Sequence, residues 1–522
     1  MQPAKTTVRE ATIALMRAFG MNKVFGNPGS TELPMFRDFP ADFDYVLGLQ
    51  ESVVLAMADG YAQATRNAAL VNLHSAAGVG HSLGNLFTAY KNQTPLVITA
   101  GQQARSILGY EPFLFAERAT EFPQPYVKWA CEPARAEDVP AAIARAYHIA
   151  MTPPCGPTFV SVPVDDWDRP CDPVPVRRVA SLSVGDPAAL AEVAEALATA
   201  DRPALVLGAG VARDDAFDAA IALAERHGAA VWAAPFAARA PFPEDHPLFA
   251  GFLDPMRHRI LADLAGHDVI VAVGGPLSLY HVEGEGPHLP EGARLFLLTD
   301  NPAVASWAPE GMAIITNARN GLEALLAGPA PRDRTAATGR TRAALLDGAI
   351  MTDRYLLQQI ASLRPKASVI VEEAPSARGP MHDHLPIIAR DGFYTCASGG
   401  LGHGLPAAIG VGIGRPQDKV IAIIGDGSAM YAIQGLWSAA KLKLPISFII
   451  VKNGRYEALV NFGRLFGLQQ TMGTDLPNMD FCAMAEGMGV AATRVTSADT
   501  LDDALRASFA ANGPTLVEVE VA

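Results

Sequence analysis

Short runs of consecutive apolar residues recur along the whole chain: Tyr45–Leu49, Ala69–Leu73, Leu96–Ala100, Ala204–Leu207, Val269–Val273, Leu295–Leu298, Val369–Val371, Val420–Ile424 and Ser447–Val451. They are strand-sized and do not alternate with polar residues, which predicts strands buried on both faces of parallel sheets. Helical patterns separate them, as in Ser52–Ala64, Leu405–Val411 and Ala429–Lys443. Strand and helix in alternation is the signature of βαβ units. Two polar, Pro-rich seams interrupt the series, Pro170–Pro187 and Gly328–Thr341, the second with the composition of a linker. The expected architecture is therefore three α/β domains, near residues 1–180, 181–335 and 340–522, each a parallel sheet flanked by helices.

Composition narrows the class. The chain has 522 residues, half of them hydrophobic, and a formal net charge of −13. That length supports about three domains with sizeable cores. The acidic balance lacks the positive footprint that nucleic acid or an anionic membrane surface needs. Five scattered cysteines form neither a disulfide framework nor a CxxC metal site, as expected of reduced thiols in a cytoplasmic protein. Met1–Gly20 has helical spacing and no basic-then-apolar leader, so no secretory signal is expected. No apolar stretch reaches the ~20 residues of a membrane span.

The sharpest chemical signal is Gly425-Asp426-Gly427-Ser428, directly after the strand Val420–Ile424. Its partner, Asn453, follows the next strand, so both lie where ligands gather in a parallel sheet, at the strands' carboxyl ends. Glycines allow backbone N–H groups to approach a phosphate closely. Asp426 and Asn453 offer hard oxygen ligands of the kind Mg²⁺ takes beside diphosphate. A lone GDG could equally be a tight turn with an Asp helix cap. His382-Asp383-His384 has an HxH look but no third ligand cluster, and reads as a solvated loop. Gly208-Ala209-Gly210 resembles a fragment of a dinucleotide loop, but no ribose-binding acid is clearly placed, so it reads as a middle-domain turn with no FAD or NAD.

GDGS with its downstream Asn resembles the diphosphate motif of thiamin-diphosphate enzymes. Similarity runs almost the full length, through FGNPGSTELP, DGYAQAT, NLHSAAG, TAGQQ, SVPVDDWD, CASGGLG, LPAAIGV and IGDGSA. Within that superfamily the chain looks like the benzoylformate decarboxylases, among the 2-keto acid decarboxylases. The resemblance implies that the first domain binds the aminopyrimidine and the third the diphosphate. It makes Glu51 the partner of the pyrimidine ring, and a desolvated Glu shares a proton readily. It gives Gly399 a backbone carbonyl role toward the amino group and makes Leu401 the apolar wedge that keeps the cofactor bent. Asp426, Asn453 and the Arg455 carbonyl would hold Mg²⁺. Ser30, His74 and His281 form the substrate-side set, Ser30 for the carboxylate and the histidines for protons. Phe462, Thr395, Glu457 and Leu114 are the expected pocket residues.

Some positions depart from the family. Glu457 stands where benzoylformate decarboxylases carry a small residue, and resembles the pyruvate and indolepyruvate branch. It could serve as an extra acid. Thr395 replaces an aromatic ring, which leaves room for a bulkier substrate. Lys452 replaces the usual first Asn of the pair, and Pro375 and Arg378 stand in a stretch that is Thr-rich in the family. The resemblance implies decarboxylation of an aromatic 2-keto acid, benzoylformate first, in a homo-oligomer of at least two and by family habit four subunits. The alternatives are a decarboxylase or carboligase of another 2-keto acid, or a non-catalytic cofactor-binding homologue.

Overall fold

Three parallel sheets form from the apolar runs in a computed structural model, which describes residues 6–522. The chain divides into two units, one of Met1–Ala180, Asp347–Gly379 and Ser398–Ala522, the other of Ser181–Leu346 and Pro380–Ala397.

The first unit holds two of the sheets. One comprises β1 (Lys23–Gly26), β2 (Asp44–Leu47), β3 (Ala69–Leu73), β4 (Leu96–Gln102), β5 (Ala130–Cys131) and β6 (Pro157–Pro163), in the order β2-β1-β3-β4-β6-β5. Between its strands run α1 (Glu51–Thr65) and α2 (Ser75–Asn92). In the second unit β7 (Pro203–Leu207), β8 (Ala230–Ala233), β9 (Phe249–Phe252), β10 (Val269–Val273), β11 (Arg294–Thr299) and β12 (Met312–Ile315) run in the order β9-β8-β7-β10-β11-β12. The remaining sheet of the first unit places β13 (Val369–Glu373), β14 (Val420–Gly425), β15 (Ile446–Lys452), β16 (Ala491–Val495) and β17 (Thr515–Glu520) in the order β13-β14-β15-β17-β16. Its helices include α3 (Gly404–Gly414) and α4 (Glu457–Leu465).

The expected strands form, with ends shifted by a residue or two where the apolar run fades. Burial explains their place in the sheets. Val420, Ile421, Ile423 and Ile424 of β14 have at most 1% of their surface exposed. At about 1.5–3 kcal/mol for each fully buried aliphatic side chain, these four contribute on the order of a whole domain's net stability, which keeps the strand inside the sheet.

Three expectations need correction. The helix expected over Ala429–Lys443 is broken into Asp426–Ala429 and Gly435–Leu442. The N–H groups of Tyr431, Ala432 and Gly435 each bond the carbonyl three residues back, which tightens the turn and redirects the chain. The Gly328–Thr341 segment is irregular but no free linker. Arg332, Ala337 and Arg340 donate backbone N–H bonds to Ala198, Gly228 and Phe249, strapping it along the second unit. His382 is not in a solvated loop: it lies buried in the helix Arg378–His384, its Nδ1 2.9 Å from Glu244 Oε1 and its ring stacked on Phe252. The glycines of Gly208-Ala209-Gly210 have a packing reason, since a Cβ on either would meet the Gly274–Gly275 backbone at 2.5–2.7 Å.

Helices α1 and α3 cross in backbone contact. A Cβ on Gly60 would lie 2.2 Å from the Ala407 carbonyl oxygen, and one on Gly410 would lie 1.9 Å from that of Met57. Alanine normally stabilises a helix interior by about 1 kcal/mol over glycine. Here the clash is with backbone, which cannot yield without separating the helices. Gly410→Ala should therefore destabilise the protein by about 3 kcal/mol or more, read as a drop in the urea midpoint; a rise would contradict the crossing.

Candidate active site

Helix α1 begins at the carboxyl edge of the first sheet, and its first residue is Glu51. The Gln50 side chain caps the helix by accepting the N–H groups of Ser52 and Val53. Glu51 is thereby held at the end of an apolar helix with 8% of its surface exposed. Oε2 lies 3.1 Å from His81 Nδ1, and Oε1 accepts from Asn27 Nδ2 at 3.4 Å. Gly78 leaves room for the carboxylate, because a Cβ there would sit 3.4 Å from Glu51 Cγ.

His74 follows β3 and precedes α2. Its Nδ1 is 2.9 Å from Glu32 Oε2 and 3.3 Å from Thr31 Oγ1. A carboxylate only accepts, so Nδ1 carries the hydrogen and Nε2 is left to take or release a proton. Glu32 is itself pinned by the N–H groups of Gly29 and Gly101, at 2.9 and 2.8 Å. Both glycines are required by close approach. A Cβ on Gly29 would fall inside the His74 ring, and one on Gly101 would lie 2.2 Å from Glu32 Oε1. Ser30 is exposed on the same loop. Leu114 has a positive φ of 67°, and its carbonyl accepts from Ser75 Oγ at 2.8 Å, next to His74.

The second cluster stands at the ends of β14 and β15. Asp426 Oδ1 accepts from the Gly427 N–H at 2.7 Å, and Oδ2 from those of Asn453 and Gly454 at 3.1 and 2.7 Å. One carboxylate thus staples the two loops together. Asn453 Oδ1 accepts the Arg455 N–H at 3.1 Å. Gly427 could carry no side chain, since a Cβ would enter the Tyr456 ring at 2.3 Å, and Gly454, at φ +71°, opens onto free space. Ser428 is buried behind Asp426. Burial raises the Asp426 pKa and outweighs the backbone N–H groups and Lys452, which lower it. Asp426 is a buried carboxylate still short of positive charge, and the loop it staples carries the Asn453 amide oxygen and the Arg455 carbonyl, which also accepts the Glu457 N–H at 3.0 Å; oxygens of these kinds are the ligands Mg²⁺ takes.

Gly399 is exposed at φ +71° with nothing within 4 Å of a Cβ, so its backbone faces an open cradle. Leu401, two residues on, is half-buried. What holds this loop has no local signature. Glu373, at the end of β13, accepts the N–H groups of Gly402, at 2.6 Å, and Gly404. Asn85 of α2 donates to the Gly402 carbonyl at 3.1 Å and to Ser52 Oγ at 2.8 Å. Thr88 and Ser398 share a hydrogen bond of 2.8 Å.

The other pocket candidates separate. Glu457, which opens α4, is ion-paired with Arg455 at 2.5 Å and Arg464 at 3.2 Å, so its charge is taken up within the chain. Phe462 stacks on Phe466 one turn along. His281 and Thr395 belong to the second unit. There the His281 ring packs edge-on against Phe236 at 5.6 Å, and buried Thr395 donates its N–H to the Ala238 carbonyl. Residues that sequence reasoning passed over include Asn27, Glu32 and His81. Asn27 and Glu32 stood inside the NPGSTELP segment, and the pairing they make was the missing signal.

Two outcomes test this geometry. Glu32→Gln should lower turnover about 10- to 100-fold, as loss of a group orienting a reactive histidine does, with cofactor affinity unchanged in calorimetry. Burial pushes the Glu373 pKa from 4.5 to about 7, against the pull of the Gly404 and Gly402 N–H groups. The folded protein therefore holds that proton more tightly than the unfolded chain. The resulting stability is complete below the unfolded value and is lost as the pH rises through the folded one. Between about pH 5 and about pH 8 the parent should lose on the order of 2 to 3 kcal/mol more than Glu373→Gln in urea unfolding; parallel profiles would count against a desolvated carboxyl.

Three family models for thiamine pyrophosphate enzymes match the chain: the N-terminal TPP binding domain over residues 6–125, the central domain over 190–325 and the C-terminal TPP binding domain over 379–519. The benzoylformate decarboxylase of Pseudomonas aeruginosa is 42% identical over 519 residues, covering 98% of each chain. Among solved structures, the benzoylformate decarboxylase of Polynucleobacter necessarius superposes with a TM-score of 0.97 at 39% identity, covering 99% of this chain and 98% of that one. The thiamine diphosphate-dependent 4-hydroxybenzoylformate decarboxylase of Rhodococcus jostii gives 0.95 at 42%, covering 99% of both. The chain belongs to the thiamine pyrophosphate enzyme family, among the relatives of benzoylformate decarboxylase.

Proposed function

We propose that this chain is a thiamin-diphosphate- and Mg²⁺-dependent decarboxylase of an aromatic 2-keto acid, converting benzoylformate and a proton to benzaldehyde and CO₂. The observation that carries the reading is the Asp426 staple: a buried carboxylate joining the loops at two adjacent strand ends, with Gly427 where a side chain would run into Tyr456. Asp426, Asn453 and the Arg455 carbonyl would hold the metal, and the backbone of Gly425, Gly427 and Ser428 the diphosphate. When bound, thiamin diphosphate supplies the electron sink for loss of the carboxylate. Glu51 would hold and share the proton of the pyrimidine. His74, with Nδ1–H fixed on Glu32, presents Nε2 for proton exchange with the substrate, and Ser30 would hold the substrate carboxylate. His281 is the second proton carrier in this reading.

A homo-oligomer, at least a dimer and by family habit a tetramer, belongs to the same reading. Its support is apolar surface that a lone chain leaves wet, with Phe113 87% and Tyr110 83% exposed beside Leu114. No described helix is long and apolar enough to cross a membrane. Turnover of another 2-keto acid has Thr395 in its favour, a small buried side chain where the family carries a ring.

Aldehyde and CO₂ release should be measured with benzoylformate, phenylpyruvate and pyruvate, in the presence of thiamin diphosphate and Mg²⁺. Benzoylformate is expected to turn over fastest, and Glu51→Gln to lower its kcat at least about 100-fold. Preference for pyruvate would overturn the substrate assignment. Full activity of Glu51→Gln would overturn the role of Glu51.

A further inference from the structure

At the crossing of α1 and α3 lies a buried ionic pair that the proposed chemistry does not use. His403 Nε2 stands 2.6 Å from Asp59 Oδ2, and the two side chains are 1% and 0% exposed. Asp59 also accepts from Gln63 Nε2 at 3.0 Å and from Asn92 Nδ2 at 2.8 Å. His403 caps α3 without a side-chain bond to that helix. On both sides of it Glu373 grips the backbone through the Gly402 and Gly404 N–H groups. Three ionisable groups from β13, α1 and the glycine loop thus meet out of water.

Stability alone does not account for this. Buried ion pairs are weak stabilisers, because desolvation offsets the attraction, and apolar replacements of similar volume often do as well or better. His403 carries a further cost, since its Nδ1 is buried with no hydrogen-bond partner. What the pair does supply is a fixed distance and direction between two elements. Burial works to lower the His403 pKa, but Asp59 more than offsets it, so the net shift is upward. Burial works to raise that of Asp59, and His403 reverses it. Both shifts favour the charged pair, which tolerates little displacement.

The elements it joins are the two halves of the cofactor cradle. Asp59 lies about two turns along the helix that begins with Glu51. His403 lies two residues beyond Leu401 in the loop whose backbone opens at Gly399. Asn85 repeats the connection on the other side, bonding Ser52 next to Glu51 and the Gly402 carbonyl at once. We propose that His403 is a positioning residue of this site, its buried pair with Asp59 setting the Gly399–Gly402 loop against helix α1 and hence against Glu51. The inference rests on the roles given above to Glu51 and the glycine loop.

The test compares the parent full-length protein with His403→Phe/Asp59→Asn, which removes both charges together. Three quantities are read: amide exchange of residues 400–404 without cofactor, the Kd for thiamin diphosphate at saturating Mg²⁺, and kcat with KM for benzoylformate. The expected result is unfolding close to the parent's, exchange and Kd each raised about tenfold, and kcat lowered about tenfold with KM within about twofold. Parent-like exchange, Kd and kcat would overturn the proposal. If the double variant does not fold, His403→Gln and His403→Leu decide. Gln keeps an N–H toward Asp59 and should hold exchange and Kd within about threefold of the parent, while Leu should not. Equal behaviour of the two would also overturn it. Glu51→Gln in parallel separates the two claims. If it alone keeps full turnover, the site assignment has failed; if it loses turnover while the paired variants match the parent, the positioning role has failed.

Discussion

The backbone contact between α1 and α3 is the constraint from which the rest of the first unit follows. With Gly60 against Ala407 and Gly410 against Met57, the helices are as close as main chains can come. Their separation is fixed at that point by main-chain contact. Glu51 is the first residue of one helix, and the other begins at Gly404, directly after the glycine loop. The position of the Glu51 carboxylate relative to the Gly399–Gly402 loop is therefore constrained by packing within the protein. That is the condition under which preorganised groups act without reorganising during the reaction.

Around this crossing, buried carboxylates are stabilised in different ways, and the differences sort structure from chemistry. Asp59 has a cation, His403, and its pKa falls. Glu372 is bonded by Arg378 Nε at 2.8 Å and by the Ala374 N–H at 2.6 Å. Glu373 and Asp426 have mainly peptide N–H groups to offset burial, and both are raised. Peptide dipoles compensate a buried charge only in part, so each of these two retains a demand for positive charge or a proton. Glu373 is fully buried and holds the loop through the Gly402 and Gly404 N–H groups. Asp426 stands at the strand ends, where its carboxylate joins the loops after β14 and β15, so its demand is the one the proposed metal would meet.

Legibility from sequence follows the range of the interaction. Ala69–Leu73 and Val269–Val273 form as read, because a run buried on both faces declares itself locally. Asp426 and Asn453 were legible for a similar reason: adjacent strands joined by one crossover bring neighbouring loops together. His403 and Asp59 are 344 positions apart, and Asn85 and Gly402 are 317 apart. No local pattern marks such pairs, and each residue alone reads as an ordinary helix or turn position. His382 failed the same way, since the acceptor that lets it be buried, Glu244, lies 138 residues earlier. The break after Ala429 was hidden because a tight turn uses the same residues as a helix and differs only in closing its bonds one residue earlier.

The charged departures from the family near Asp426 and Asn453 are each paired within the chain. Lys452 is engaged by Glu518 at 2.6 Å and Glu520 at 3.3 Å, and Glu457 by the two arginines on either side of it. Opposite charges held in contact leave a dipolar field, which falls off faster than that of a free charge. The charge of Glu457 is met by cations of the same chain, and the ammonium at Lys452 is the last of the influences that lower the Asp426 pKa. Thr395 and Phe462 are uncharged, so a different side chain at either position changes volume without adding a charge to be compensated.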